Sequence, residues 1–191
     1  MEINYTSLII IALIILFAFL IYQYHYYSNI ETIVSKIDNR NYDVQIKNDS
    51  QEAADLIAKV REKLILLVNH MYKTYPDDDN VKRLKKNFNP DVIQEGIDNP
   101  SYSSYTVNKG EKIILCLRTN GKLVDLNILT FVCIHELSHI GNETVGHDDD
   151  FWEFFKELLT EAINIGIYIK HDYKTNPVEY CNMKITSSPM D

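Results

Sequence analysis

Cysteine is scarce in this chain and poorly placed for a framework. Cys116, Cys133 and Cys181 are an odd number at wide, unrelated spacings, which fits neither a disulfide scaffold nor a Cys-x-x-Cys zinc site. A reducing compartment is the simpler reading. Positive charge is also in deficit. Lys and Arg number 19 against 27 Asp and Glu, a formal net charge of -8, and the acids are spread along the chain rather than gathered in a tail. No broad basic surface is available to neutralise phosphates, so nucleic acid is disfavoured as a partner. Internal repeats and low-complexity tracts are missing too. A length of 191 residues then suits one compact domain plus an anchor, and one active site.

Charge is absent altogether from Ser7 to Tyr22. With its tyrosine-rich flank this run approaches the roughly 20 residues needed to cross a bilayer. The residues before it include Glu2 but no Lys or Arg, and no small-x-small site follows, which favours a retained single-pass anchor over a cleaved signal peptide. Tyr22, Tyr24, Tyr26 and Tyr27 suit the headgroup level, where a ring with a polar tip is favoured. The nearest basic residues, Lys36 and Arg40, lie after the helix and place the larger C-terminal part in the cytoplasm.

Residues 28–48 read as a polar stalk with a short strand over 42–46, and residues 49–191 as the folded domain behind the anchor of residues 1–27. Asp49 with Glu52 resembles a capping box, and Leu56, Ile57, Val60, Leu64, Leu67, Val68 and Met71 recur at helical spacing until Pro76. A short helix and turns, including two Asn-Pro pairs, are expected over 77–100. Ser104–Val107 and Lys112–Arg118 flank Asn108-Lys-Gly110 and predict a β-hairpin. A helix starting near Asp125 or Asn127 should end at Gly141, read as a C′ residue. A last helix should begin at Asp148-Asp-Asp150, whose carboxylates complement the positive end of its dipole, and run to Gly166.

His135-Glu136-Leu137-Ser138-His139 is an H-E-x-x-H pattern on the helix expected to end at Gly141. Four residues make about one turn, so both imidazoles leave the same face and aim at one metal. Glu136 is then placed to take a proton from a water activated there. A catalytic zinc uses three protein ligands and leaves the fourth position open, so a third ligand should follow the helix. His147, beside Gly146, fits; Glu143, Glu157 and Glu161 are the alternatives. The expected chemistry is hydrolysis of an amide, with an extended peptide aligned along the hairpin edge.

These residues, with Gly146-His147-Asp148 and Phe151-Trp152, resemble the WLM branch of the SprT-like zincins over about residues 101–185. Tyr180-Cys-Asn-Met-Lys-Ile185 is similar to a segment in membrane-anchored, WLM-like proteins of large DNA viruses, which implies a virion or host internal membrane. The resemblance implies an α+β zincin-like domain, one Zn2+ held by His135, His139 and His147, Glu136 as base, and a protein or peptide substrate. The step from His139 to His147 is longer than the usual WLM spacing. Better-known members cleave proteins crosslinked to DNA, a substrate ill-suited to an acidic chain anchored through residues 7–22. The competing readings are a zinc-binding scaffold without turnover and a protease of DNA-linked proteins.

His25, His70 and His171 read as interfacial or surface residues, Cys133 as core, and Met183 and Tyr180 as packing rather than as a Met-turn or an oxyanion donor.

Overall fold

The apolar stripe beginning at Ala53 forms a helix because its members recur every three or four residues with no Gly or Pro between them. In the computed structural model, which describes residues 5–97 and 103–191, that helix is α2, Ser50–Thr74, and its stripe from Ala53 to Met71 is buried. It follows α1, Tyr5–Tyr27, an apolar helix whose described side chains are exposed apart from the half-buried Gln23, and long enough to cross a membrane by length and composition. Between them the segment read as a stalk is folded. β1, Ile30–Val34, pairs antiparallel with β2, Asn41–Gln45, and Tyr42 and Val44 of β2 are buried in the core.

Asp49 does stand at the N-cap of α2, but its carboxylate makes no capping bond. It pairs instead with Arg118 at 2.7 Å. Arg118 also grips Glu95, a fully buried carboxylate that accepts the Gln45 backbone N–H at 2.8 Å. A buried charge must be paired; this triad ties the start of α2 to β2 and to the central sheet.

α3, Asp79–Asn87, is capped by Asp78, which accepts from the Val81 N–H. The turn expected at Asn99-Pro100 lies outside the described residues. β3, Ile93–Glu95, runs parallel to β5, Lys112–Leu115, and β4, Tyr105–Val107, pairs antiparallel on the other side of β5. The predicted hairpin is therefore present, and β4 is an edge of its sheet. Asn108, Lys109 and Gly110 all have positive φ in its turn.

After the small ribbon of β6, Arg118–Thr119, and β7, Lys122–Leu123, comes α4, Leu126–Gly141, with Asp125 accepting from the N–H groups of Asn127 and Ile128. Gly141 ends this helix for a reason other than the expected left-handed cap. Asn142 after it is extended, at φ -65° and ψ 143°. A Cβ at Gly141 would run into the Phe154 ring and lie 2.9 Å from the Asn80 carbonyl oxygen. Close packing of α4 on α3 and α5, Asp149–Asn164, demands the glycine. β8, Val178–Tyr180, and β9, Met183–Ile185, close the chain as a hairpin. The architecture is α+β: helices packed about a small mixed sheet, with one apolar helix in front.

The cysteines correct the sequence reading. Cys116, just past β5, is disulfide-bonded to Cys181 in the β8–β9 turn, while Cys133 is free and buried. Sixty-five residues separate the partners, so spacing alone carries no sign of the pair.

Candidate metal centre

α4 carries His135, Glu136 and His139 on the face turned toward β4 and the loop before α5. His135 Nε2 lies 3.2 Å from His139 Nε2 and 3.0 Å from His147 Nε2. Among the described residues these three histidines form the one group of His, Cys, Asp or Glu donors close enough to hold a metal, within 4.8 Å of one another. A tetrahedral zinc with bonds of about 2.0–2.1 Å separates its nitrogen ligands by roughly 3.3 Å. The two short separations match edges of such a tetrahedron, so the donor set fits zinc. Burial, with the neighbouring imidazoles, pushes His135 down to about 3 and His139 down to about 4. Both rings are thus neutral near pH 7, and their nitrogen lone pairs are free to bind a cation.

The alternative third ligands are placed elsewhere. Glu161 accepts from His70 at 2.6 Å and from Tyr75, and Glu143 stands exposed 3.9 Å from Arg83. His171 bonds to the Asn176 carbonyl. Tyr180 is buried with its hydroxyl donating to the Cys116 carbonyl and bonded to Ser104 Oγ. Met183 is half exposed and lines the cleft, rather than packing in the core.

Glu136 is only 3% exposed, and burial raises its carboxyl to about 7. The Thr106 hydroxyl of β4 donates to its Oε2 at 2.8 Å and the Thr106 backbone N–H also bonds the carboxylate, which fixes it. The hairpin holds the His147 loop as well. Lys109 Nζ donates to the carbonyls of Asn142 and Thr144, at 2.8 and 2.5 Å. From the other side Asp148 accepts from the Asn142 amide and the Phe151 N–H, and also from Thr144. The eight-residue step from His139 to His147 is therefore clamped at both ends. Trp152 then stacks on the His147 ring, with centroids 5.6 Å apart and planes 28° from parallel. The roles of Thr106 and Lys109 carry no local signal in the sequence, since each acts across thirty or more residues.

Comparison with known proteins adds to this geometry. Residues 38–187 match the WLM domain. The chain belongs to the WLM domain family. It is 31% identical over 164 residues to an uncharacterized protein of Acanthamoeba polyphaga mimivirus, covering 80% of this chain and 81% of that one. It is 25% identical over 142 residues to an uncharacterized protein of Invertebrate iridescent virus 6, covering 70% and 78%. Among solved structures it is similar to a Wss1 mutant from Saccharomyces cerevisiae, with 22% identity and a TM-score of 0.49 over 64% of this chain and 86% of that one. The WLM domain supports a zinc metallopeptidase-like function, and the match begins inside the β1–β2 hairpin, leaving α1 outside it.

Proposed function

We propose that this WLM domain is a zinc-dependent peptidase anchored in a membrane by α1, with Glu136 as its general base. The observation that carries the reading is the convergence of three imidazoles, those of His135 and His139 neutral near pH 7, beside a buried carboxylate held by Thr106. His135, His139 and His147 would hold the zinc. Bound there, the ion would supply Lewis acidity to an attacking water and to the scissile carbonyl.

The chain's own groups do the rest. β4, as a sheet edge, aligns an extended substrate by strand addition over α4. The Glu136 carboxylate takes the proton of the attacking water, while Thr106 keeps it in place. The same carboxyl then gives that proton to the leaving amine, so the net reaction consumes one water and releases a carboxylate and an amine.

The full chain in detergent tests this directly. One zinc per chain, casein cleavage and loss of cleavage on chelation are the expected results; a chain that retains no zinc sinks the proposal. Zinc without cleavage of any protein favours the scaffold reading.

The Lys109 clamp gives a second expectation. Lys109→Met removes the cation and both of its bonds to the ligand loop, and zinc affinity should fall about 10-fold, as for other outer-shell partners. Competition with a chromophoric chelator measures it; unchanged affinity would mean that the loop holds itself.

Orientation in the membrane rests on two opposed features. Lys36 and Arg40 favour a cytoplasmic domain, whereas a disulfide persists on an oxidising side. The disulfide, which joins the end of β5 to the β8–β9 turn, is the weightier of the two. Protease protection in sealed vesicles reads the answer.

A further inference from the structure

The cleft that contains the three histidines differs in character from the rest of the surface. It encloses about 990 Å³ between β4, α4, the His147 loop, α5 and the β8–β9 hairpin. Its floor is apolar: Phe131 and Val132 lie one turn before His135 and Glu136 on α4, Phe155 comes from α5, and Ile185 from β9. These four are less than 10% exposed, so the floor is a packed surface fixed by the core. At the mouth the apolar character continues onto groups that face solvent. Val145 is 92% exposed, Met183 50% and Trp152 42%, and all three line the same cleft.

Charge singles out the cleft as strongly. The chain as a whole carries a net charge of -8, yet among the described lining residues Glu136 is the single carboxylate, beside Lys109 and Lys184. A substrate with a charged side chain over the apolar floor would lose its hydration against Phe131, Val132, Phe155 and Ile185, none of which can pair with it. A large aliphatic or aromatic side chain instead removes apolar area from water on both partners. Basic residues farther along the substrate would meet the two lysines, and acidic residues would be attracted to them.

Resting on the peptidase reading, we infer that the substrates are extended polypeptide segments with a large apolar side chain next to the scissile bond and acidic rather than basic residues flanking it.

The test uses the zinc-loaded full chain in detergent with a defined pool of peptides. The pool varies the central residues among Leu, Phe, Met, Gly, Asp and Lys, with acidic or basic flanks, and mass spectrometry locates the cuts. Peptides with a central Leu, Phe or Met should be cut on the order of 10-fold faster than those with Asp or Lys. Lys184→Glu, at an exposed position, should reduce or invert the flank preference without altering the central one. In parallel the Glu136→Gln chain is assayed for binding of the same peptides. Cleavage without a central apolar preference overturns this inference and leaves the peptidase reading standing. No cleavage by the wild type, with apolar peptides still bound about 10-fold tighter by Glu136→Gln, overturns the peptidase reading and upholds the apolar subsite. Absence of both overturns the two together.

Discussion

Glu136→Gln should lower kcat/KM for peptide hydrolysis by about 10²- to 10⁴-fold, the range for loss of a general base, with zinc stoichiometry unchanged. Gln keeps the shape of the side chain and an oxygen that accepts from Thr106, so the site keeps its geometry and loses its proton acceptor. The three histidines are untouched. A variant that retained wild-type turnover would remove Glu136 from the reaction; one that lost its zinc would show instead that the carboxylate builds the site.

The same substitution has a pH signature in the metal-free protein. Burial raises the Glu136 carboxyl to about 7 from an ordinary 4.5. Between those values the folded state binds more protons at this residue than the unfolded state does, so its contribution to stability is fully present below about 4.5 and is lost as pH rises through about 7. Gln does not titrate. The stability gap in favour of Glu136→Gln should therefore open between pH 4.5 and 7 and level off above, reaching roughly 3 kcal/mol. His135 and His139 titrate in both proteins, and their effects cancel in the difference. Thermal unfolding of the two metal-free chains across that range measures the gap; curves that stay parallel would mean the carboxylate is solvated. If Glu136 is the base of the proposed peptidase it must be ionised, so kcat/KM should fall on the acid side, with the limb drawn below 7 by the charge of a bound zinc.

Loss of the Cys116–Cys181 bond should be the largest change in stability. Closing a loop of 65 residues corresponds to about 4 kcal/mol of chain entropy removed from the unfolded state, and for a domain of this size that is a fall in Tm of roughly 10 °C. Reduction, or the double change Cys116→Ser with Cys181→Ser, should both produce it. Peptide cleavage should fall as well, because Cys181 follows Tyr180, whose hydroxyl joins Ser104 and the Cys116 carbonyl across the cleft wall. Zinc should be retained, since the three histidines proposed to hold it sit on α4 and the loop before α5. An unchanged Tm after both thiols are shown to be free would mean that packing of β8 and β9 holds this wall unaided.

The amino-acid sequence by itself determined the elements whose causes are local. The stripe of α2 follows from apolar residues three and four apart, the β4–β5 hairpin from two apolar runs about Asn108-Lys-Gly110, and the start of α5 from Asp148. The convergence of the three histidines was legible for the same reason: His135 and His139 share a face at one helical turn, and His147 lies eight residues on, within reach of a single loop. The three-dimensional fold alone decided what depends on segments far apart in the chain. It joined Cys116 to Cys181, drew Asp49 away from capping α2 to meet Arg118, and folded 30–45 into a hairpin on the core. It brought Thr106 to Glu136 and Lys109 to the carbonyls before His147. A hydroxyl or an ammonium leaves no periodic trace at such distances, because its partner is chosen by how the helices and sheet pack and by the need of each buried polar group for a bond.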